Sequence, residues 1–147
     1  MISISVAGTS YDVPSSAADV DWAADQIAFE QALASAINTR TPTMLTPSPF
    51  TNSWQNKGSG FQTTRYYKDQ WGQVHLEGCI STGADGSVAF TLASGYRPVG
   101  AQSFLCVSAG GVAAIDIATT GTVTINQVSG NVSTFTSLCG ISFNVNS

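Results

Sequence analysis

Between residues 52 and 147 the chain repeats one pattern, in which short runs of alternating apolar residues are separated by turns rich in Gly and Asp. A period of two is typical of β-strands that bury one face. The strand-like runs are 63–68, 73–81, 87–92, 103–108, 112–118, 122–128 and 138–145. With a short strand at Trp54 they make about eight strands with a turn about every 8–12 residues, a spacing typical of an antiparallel β-sandwich or jelly roll. The sequence therefore predicts a mainly β fold.

Apolar residues also alternate with polar ones over the first 14 residues, which predicts a small hairpin or an extended arm. The apolar positions are Ile2, Ile4, Val6, Tyr11 and Val13. A two-stranded hairpin is only marginally stable by itself, so we expect this segment to pack on something else.

Residues 18–38 are rich in alanine and contain neither Gly nor Pro, which predicts one α-helix. Asp19 and Asp21 lie near its start, where carboxylates cap free amides and favour the helix dipole. An apolar stripe covers roughly 80° of its circumference. The stripe consists of Trp22, Phe29, Leu33 and Ile37. Two interpretations stay open: the stripe packs on the chain's own β domain, or copies of the helix pack around a symmetry axis.

Three prolines, Pro42, Pro47 and Pro49, lie between residues 41 and 51, where they forbid helix and favour an extended strap. We therefore predict two regions. Residues 1–51 are an anchoring arm, helix and strap, and residues 52–147 are a β-sandwich knob.

Charge and hydropathy exclude several classes of protein. Hydrophobic residues make up 43% of the 147, which argues against disorder. Charged residues make up only 10%, against roughly 25% in ordinary soluble proteins, so we expect much of the surface to meet other protein. A net charge of −4 gives no basic footprint for nucleic acid. No apolar run reaches the roughly 18 residues of a membrane span, and the first residues do not resemble a signal peptide.

The sequence predicts no catalytic or metal centre. The three cysteines are far apart and form no CxxC pair, so we interpret them as buried, reduced thiols of a protein made in a cytosol. His75 is the only histidine, and it alternates with Val74 and Leu76 in a strand-like run, which predicts a surface or interface position. Asp69 and Asp85 are explained by turns. We expect no enzyme activity and no cofactor.

Aromatic residues have two interpretations. They line the core or a subunit interface, or they form a surface on which sugars stack. The set is Trp54, Phe61, Tyr66, Tyr67, Trp71 and Tyr96.

Three segments of the β region resemble virion proteins of bacteriophages. Residues 65–78, RYYKDQWGQVHLEG, resemble the segment ry-K-D-x-x-G-x-V-x-L-x-G of tail-fibre and head-fibre proteins. Residues 90–98, FTLASGYRP, are similar to their segment f-t-L-P-x-G-Y-R-P, with Ala93 where proline is usual. Residues 138–143, LCGISF, are similar to their terminal strand L-x-G-i-s-F. The order and spacing of the three segments carry the resemblance over about residues 54–145.

The resemblance implies a trimeric β-sandwich on a virion surface, assembled in the cytoplasm of a host bacterium. Fibres place this module after a long shaft, whereas here the β region begins at residue 52. The expectation is therefore a capsid decoration (cement) protein or short head fibre, bound to the major capsid protein or another virion protein. The apolar positions of the arm would face the capsid, and the helix stripe would pack within the trimer or on the β domain.

A receptor-binding tail-fibre or tail-tip protein that recognises a host glycan is the alternative, supported by the aromatic set. A glycan-degrading enzyme would need a conspicuous pair of carboxylates, and the sequence points to none. A bacterial carbohydrate-binding module would need a secretion signal and a catalytic partner domain.

Overall fold

The structure, a computed structural model, describes residues 2–6, 9–13, 22–38 and 42–145. The chain divides into two compact units, residues 1–41 and residues 42–147.

The first unit contains a β-hairpin and a helix. Strand β1 (Ile2–Val6) pairs antiparallel with β2 (Thr9–Val13), so the predicted hairpin forms. Helix α1 (Trp22–Asn38) follows, and it approaches β2 more extensively than β1. The predicted helix also included residues 18–21, which lie outside the described part of the chain.

The second unit is built from ten described strands in two antiparallel sheets. The strands are β3 (Gln55–Asn56), β4 (Arg65–Lys68), β5 (Gln73–Glu77), β6 (Cys79–Ser81), β7 (Ser87–Thr91), β8 (Gln102–Ala109), β9 (Gly111–Ile117), β10 (Thr122–Gln127), β11 (Asn131–Ser137) and β12 (Ser142–Asn144). A seven-stranded sheet has the order β3-β6-β11-β8-β9-β10-β7, and a three-stranded sheet has the order β12-β5-β4. The predicted mainly β, antiparallel fold with one helix is confirmed.

Both sheets contribute to one hydrophobic core. The three-stranded sheet supplies Tyr66, Val74, Leu76 and Phe143, and the seven-stranded sheet supplies most of the rest. The buried positions of the seven-stranded sheet include Ile80, Ala89, Phe90, Cys106, Ala113, Ile115, Ile117, Val123, Ile125 and Val132. Along β9 and β10 these buried positions alternate with less buried ones, which is the pattern that the sequence shows, because successive side chains of a strand point to opposite faces. Ala89 and Phe90 of β7 are adjacent, where the pairing of β7 with β10 is irregular.

Gly78 lies at the point where the chain passes from the three-stranded sheet to the seven-stranded sheet. The run 73–81 was predicted as one strand, but the structure divides it into β5 of the three-stranded sheet and β6 of the seven-stranded sheet. Gly78 lies between them with φ of 100°. This backbone conformation is unfavourable for a residue with a Cβ, so a glycine at this position allows the chain to change sheet.

The seven-stranded sheet curls until it is nearly closed. Its two edge strands are β3 and β7. Immediately before β3, Thr51 donates its N–H to the carbonyl of Ala89 (2.8 Å), and Asn52 donates its side-chain amide to the carbonyl of Val88 (2.9 Å). These bonds join the segment that leads into edge strand β3 to the opposite edge strand, β7. They give the sheet a barrel-like form.

The proline-rich strap is part of the second unit. Leu45 and Tyr66 exchange two backbone hydrogen bonds of 2.8 Å, so the strap covers the outer edge of β4. Phe50 packs edge-on against Phe90, with ring centroids 5.8 Å apart. The division between the units therefore falls at residues 41/42, whereas the sequence analysis placed it at 51/52.

Strand β11 was not predicted, and the predicted strand 138–145 is reduced to β12. The pairing of β11 with β8 is irregular between Asn131 and Thr136. The Asn131 side chain accepts hydrogen bonds from the N–H groups of Ser133 and Thr134, which interrupts regular strand pairing at that end. The apolar residues of β11, Val132 and Phe135, are three positions apart, and its other buried position is Thr136, so the segment lacks the alternation of apolar residues that identified the other strands.

Candidate interaction surfaces

The hairpin brings together all five apolar positions that the sequence analysis selected. Its register places Ile2 opposite Val13 and Ile4 opposite Tyr11. Val6 lies opposite Thr9. Because directly opposed residues share a face of an antiparallel pair, these six positions lie on one face. The other face carries Ser3 opposite Asp12 and Ser5 opposite Ser10.

Helix α1 has exposed apolar side chains. Leu33 and Ile37 of the predicted stripe are 42% and 52% exposed, and Phe29 is half-buried. Trp22 is the first residue of the helix. Ile27, 53% exposed, was not part of the prediction, because it lies outside the stripe.

The two units differ in net charge. Residues 1–41 contain five acidic residues and one basic residue, Arg40, so this unit carries the whole net charge of −4. The acidic residues are Asp12, Asp19, Asp21, Asp25 and Glu30. Residues 42–147 contain four acidic and four basic residues, so the β unit is neutral.

The first two segments of the resemblance meet in the fold. Lys68 donates a hydrogen bond to the carbonyl of Gly95 (3.0 Å) and lies 5.4 Å from the centroid of the Tyr96 ring. Tyr66 packs edge-on against Tyr96 at 5.3 Å, and its hydroxyl accepts the N–H of Ala93 (3.2 Å). Ala93 thus uses an N–H that proline would lack.

The third segment pairs with the first. Phe143 of β12 lies opposite Val74 of β5, and the N–H of Leu138 donates to the carbonyl of Gly78 (2.9 Å). Arg97 of the second segment donates from Nε to the carbonyl of Leu92 (3.0 Å). These residues hold the two sheets and the connecting loops together, so their chemistry is used within the fold.

The outer face of the three-stranded sheet is polar and carries the only histidine. The ring of His75 stacks on Tyr67 at 4.9 Å, and its Nε2 lies 3.1 Å from Oδ2 of Asp69. Asp69 Oδ1 accepts the N–H groups of Trp71 and Gln73, both at 2.9 Å. The hydrogen bond from Gln73, followed by those from His75 and Trp71, lowers the pKa of Asp69 below its ordinary value.

A shallow groove of about 270 Å³ runs along this face. Its polar side chains are those of Tyr67, His75, Glu77 and Ser142, and Leu76, Gly140 and Ile141 complete its lining. Glu77 also forms a 2.8 Å ion pair with Arg65. The groove offers hydrogen-bonding groups beside an aromatic pair, and His75 is held in place by Asp69.

The predicted aromatic set divides between core and surface. Trp54 and Tyr66 are buried, at 3% and 4% exposure, and Tyr96 is half-buried against Tyr66. Trp71 is 73% exposed on the β4–β5 turn. Phe61, 45% exposed, packs against Phe135 of β11 at 5.5 Å.

Sequence analysis missed an apolar patch on the outer face of the seven-stranded sheet. On β8, Leu105 and Val107 are 70% and 60% exposed, and Val128, just after β10, is 60% exposed. The signal was present in the run Phe104 to Val107, where four consecutive residues are apolar. Such a run supplies apolar side chains to both faces of a strand rather than one.

All three cysteines were predicted to be buried, but only two of them are buried. Cys79 and Cys106 are buried, but Cys139 is exposed, so its predicted burial was wrong. Cys139 follows β11 at the surface, where its Sγ lies 3.3 Å from the N–H of Gly78. Burial raises the pKa of Cys79, and it raises the pKa of Cys106 to about 11.

Within residues 42–145 and the described parts of the N-terminal unit, no three His, Cys, Asp or Glu side chains cluster as metal ligands would. The described helix lacks the length and hydropathy of a membrane span.

Comparisons with protein-family models, with curated proteins and with solved structures find no match to this chain. What is established is the fold: an antiparallel β protein with a nearly closed seven-stranded sheet, a three-stranded sheet and one helix.

Proposed function

We propose that this protein is a structural component of a bacteriophage virion, a homotrimeric capsid decoration protein or short head fibre. It is attached through its N-terminal unit to the major capsid protein or another virion protein. The observation that carries the proposal is the single face of the β1–β2 hairpin on which Ile2, Ile4, Val6, Tyr11 and Val13 all lie, in a unit distinct from the β core.

A two-stranded hairpin gains stability when its apolar face is covered and its free edges are paired. A shell protein with an exposed sheet edge supplies both, because an added strand satisfies backbone hydrogen bonds while its side chains fill neighbouring pockets. The helix stripe, Phe29, Leu33 and Ile37 with Trp22, is the candidate for packing within the N-terminal unit or between copies.

Decoration of this kind works by mass action rather than chemistry. A protein that binds the assembled shell and not free capsid subunits shifts the equilibrium toward the assembled state. Three linked copies multiply weak contacts through effective concentration. The proposal assigns no catalytic residue and no cofactor, and it locates the protein on the virion surface.

The experiment compares two substitutions on opposite faces of the same strand. Ile4→Asp places a charge on the apolar face, and Ser5→Asp places the same charge on the polar face. Purified variants are mixed with undecorated phage shells and sedimented. We expect Ile4→Asp to lose at least about 10-fold in affinity and Ser5→Asp to bind nearly as the natural protein does, since one buried charge costs more than 1.4 kcal/mol. Equal binding by both variants would refute the assignment of the face.

A receptor-binding protein that recognises a host glycan is the second candidate function, and the groove on the three-stranded sheet favours it. Tyr67, His75, Glu77 and Ser142 offer the hydrogen-bonding groups that sugar hydroxyls need, and Trp71 is exposed on the adjoining turn. A glycan array probed with the natural protein and with Glu77→Gln tests this function. If the natural protein binds a glycan and Glu77→Gln does not, the result supports a receptor-binding function. If the natural protein binds no glycan on the array, the result contradicts that function. Hundreds of copies per virion would independently indicate decoration.

A further inference from the structure

We propose that Cys79 and Cys139 form a modification site: a pair of thiols that a small-molecule disulfide converts to an intramolecular disulfide bond. The site lies where the chain crosses between the two sheets. β5 passes to β6 at Gly78, and β11 passes to β12 through residues 138–141. The N–H of Leu138 donates to the carbonyl of Gly78 (2.9 Å), so the two crossings lie side by side. The bond joins these crossings, and it is independent of the proposed function.

The sulfur of Cys139 contacts the backbone that leads into Cys79. Cys139 Sγ lies 3.3 Å from the nitrogen of Gly78 and 3.8 Å from its carbonyl oxygen. In a trans peptide that oxygen is about 2.8 Å from the Cα of the next residue, so Cys139 Sγ lies within about 7 Å of Cα of Cys79. Because Cys139 is exposed, its side chain has room to rotate toward Cys79.

Strand pairing places both thiols on the same side of the seven-stranded sheet. Cys79 lies directly opposite Ser137 of β11, and Cys139 is two residues beyond Ser137. Leu138, between them, is fully buried, so Ser137 and Cys139 point away from the core together. The N–H of Cys139 donates to Oγ of Ser137 (3.2 Å), which holds Cys139 beside the residue that faces Cys79. No layer of the sheet therefore separates the two thiols.

Cys106 is the competing partner, and its position differs from that of Cys79. Burial raises the pKa of both thiols, and the neighbouring Cys139 raises both further. The pKa of Cys106 reaches about 11, whereas a hydrogen bond from Ser137 opposes the rise for Cys79. Cys106 belongs to the buried core cluster, and Cys79, although buried, does not. Cys79 is therefore the thiol that lies on the side of Cys139 and loses its proton more readily.

Oxidised glutathione, a low-molecular-weight disulfide, is the oxidant, and the exposed thiol reacts first. The thiolate of Cys139 attacks one glutathione sulfur, so a mixed disulfide forms and one glutathione leaves as its thiolate. The thiolate of Cys79 then attacks Sγ of Cys139, which breaks the mixed disulfide and releases the second glutathione. The two protons lost by the cysteines end on the two released thiols, so the chain is oxidised and one glutathione disulfide is reduced. The second step is the slower one, because burial raises the pKa of Cys79 and keeps its thiol protonated.

Mass spectrometry without reduction tests the site. The reduced natural chain, Cys79→Ser and the matched control Cys106→Ser are incubated with oxidised glutathione at pH 8, and the products are mapped after proteolysis in acid. We expect the natural chain and Cys106→Ser to lose two hydrogen atoms and to yield one cross-linked product that contains Cys79 and Cys139. Cys79→Ser should stop at the glutathione adduct of Cys139, with the yield of internal disulfide reduced at least about 10-fold.

Three outcomes overturn the inference: a natural chain that stops at the glutathione adduct of Cys139, a cross-linked peptide that contains Cys106, or a disulfide that forms only between two chains. The peptide map of the natural chain distinguishes them, so the result does not depend on whether Cys79→Ser folds. Binding to phage shells plays no part in this test, so failure of the proposed function leaves the site unaffected.

Discussion

At the scale of single residues, Gly78 decides where the chain changes from one sheet to the other. Its φ of 100° belongs to a region that other residues rarely adopt, and a Cβ there would lie 2.5 Å from Cα of Thr64. Both conditions require glycine, one because of backbone conformation and the other because of space.

We expect Gly78→Ala to lower the free energy of unfolding by about 3 kcal/mol or more, since it adds a steric clash to a strained backbone. The matched control is Gly140→Ala. Gly140 has φ of 90°, but open space surrounds the position of its Cβ, so we expect a cost of only about 1–2 kcal/mol. Urea unfolding of both variants measures the difference, and equal costs would contradict a steric role for Thr64.

The cysteines make stability sensitive to alkaline pH. The pKa of Cys106 rises from 9.0 to about 11 in the fold, so the folded chain keeps this proton after the unfolded chain has lost it. The stability that this thiol contributes is complete below pH 9 and is lost as the pH rises to about 11. We expect the urea midpoint to fall across this range, and to fall less steeply in Cys106→Ala.

Thiol labelling gives an independent readout of the same burial. At pH 8 we expect a chromogenic disulfide reagent to react quickly with one thiol, the exposed Cys139, and with all three thiols only after unfolding. Fast reaction of two or more thiols in the folded protein would show that Cys79 or Cys106 is accessible.

At the scale of elements, the β4–β5 hairpin depends on one carboxylate. Asp69 accepts two backbone N–H groups of the turn and lies against His75 on the strand that follows. Since these bonds lower its pKa, its contribution to stability is present above its ordinary value of 3.8 and is lost as the pH falls through the lower value of the folded state.

We expect Asp69→Ala to lower the melting temperature more than Asp69→Asn, because the asparagine oxygen can still accept both N–H groups of the turn. The gap between natural protein and Asp69→Ala should narrow as the pH is lowered below 3.8. Thermal unfolding at pH 7 and pH 3 measures both effects. An alanine variant as stable as the asparagine variant would show that the turn does not need the oxygen.

At the scale of the whole molecule, the β unit contains its own core. Every residue of the buried cluster lies between Trp54 and Phe143, and the strap adds Leu45 and Phe50 to it. We therefore expect a fragment of residues 42–147 to unfold cooperatively. A fragment of residues 52–147 should be less stable by about 3 kcal/mol, because burial of a Leu or Phe side chain contributes about 1.5–3 kcal/mol. Both fragments contain Trp54 and Trp71, and tryptophan fluorescence during urea unfolding measures this difference, mainly through the buried Trp54. Equal stability would place the strap outside the folding unit.

Local patterns were sufficient to predict most of the strands. Val123 and Ile125 alternate with threonines, and Ile141 and Phe143 alternate with polar residues, so burial followed directly from the period of two. Turn residues such as Asp69 and Gly72 identified a hairpin, because their effects on the backbone are local and extend over only about four residues of chain. Strand β11 escaped prediction because Val132 and Phe135 are three positions apart and its other buried position is Thr136, so no alternation of apolar residues marks it.

Local periodicity predicts the mainly β class of fold, a hairpin or extended arm at the start, the helix and the apolar positions of the arm, because neighbouring residues carry these patterns. The fold, and not the local pattern, shows which sheet each strand joins, that the strap belongs to the β unit, and that Leu105, Val107 and Val128 are exposed on the outer face of the seven-stranded sheet. These features depend on contacts between residues distant in the chain, and local spacing contains no information about which distant strand will lie alongside.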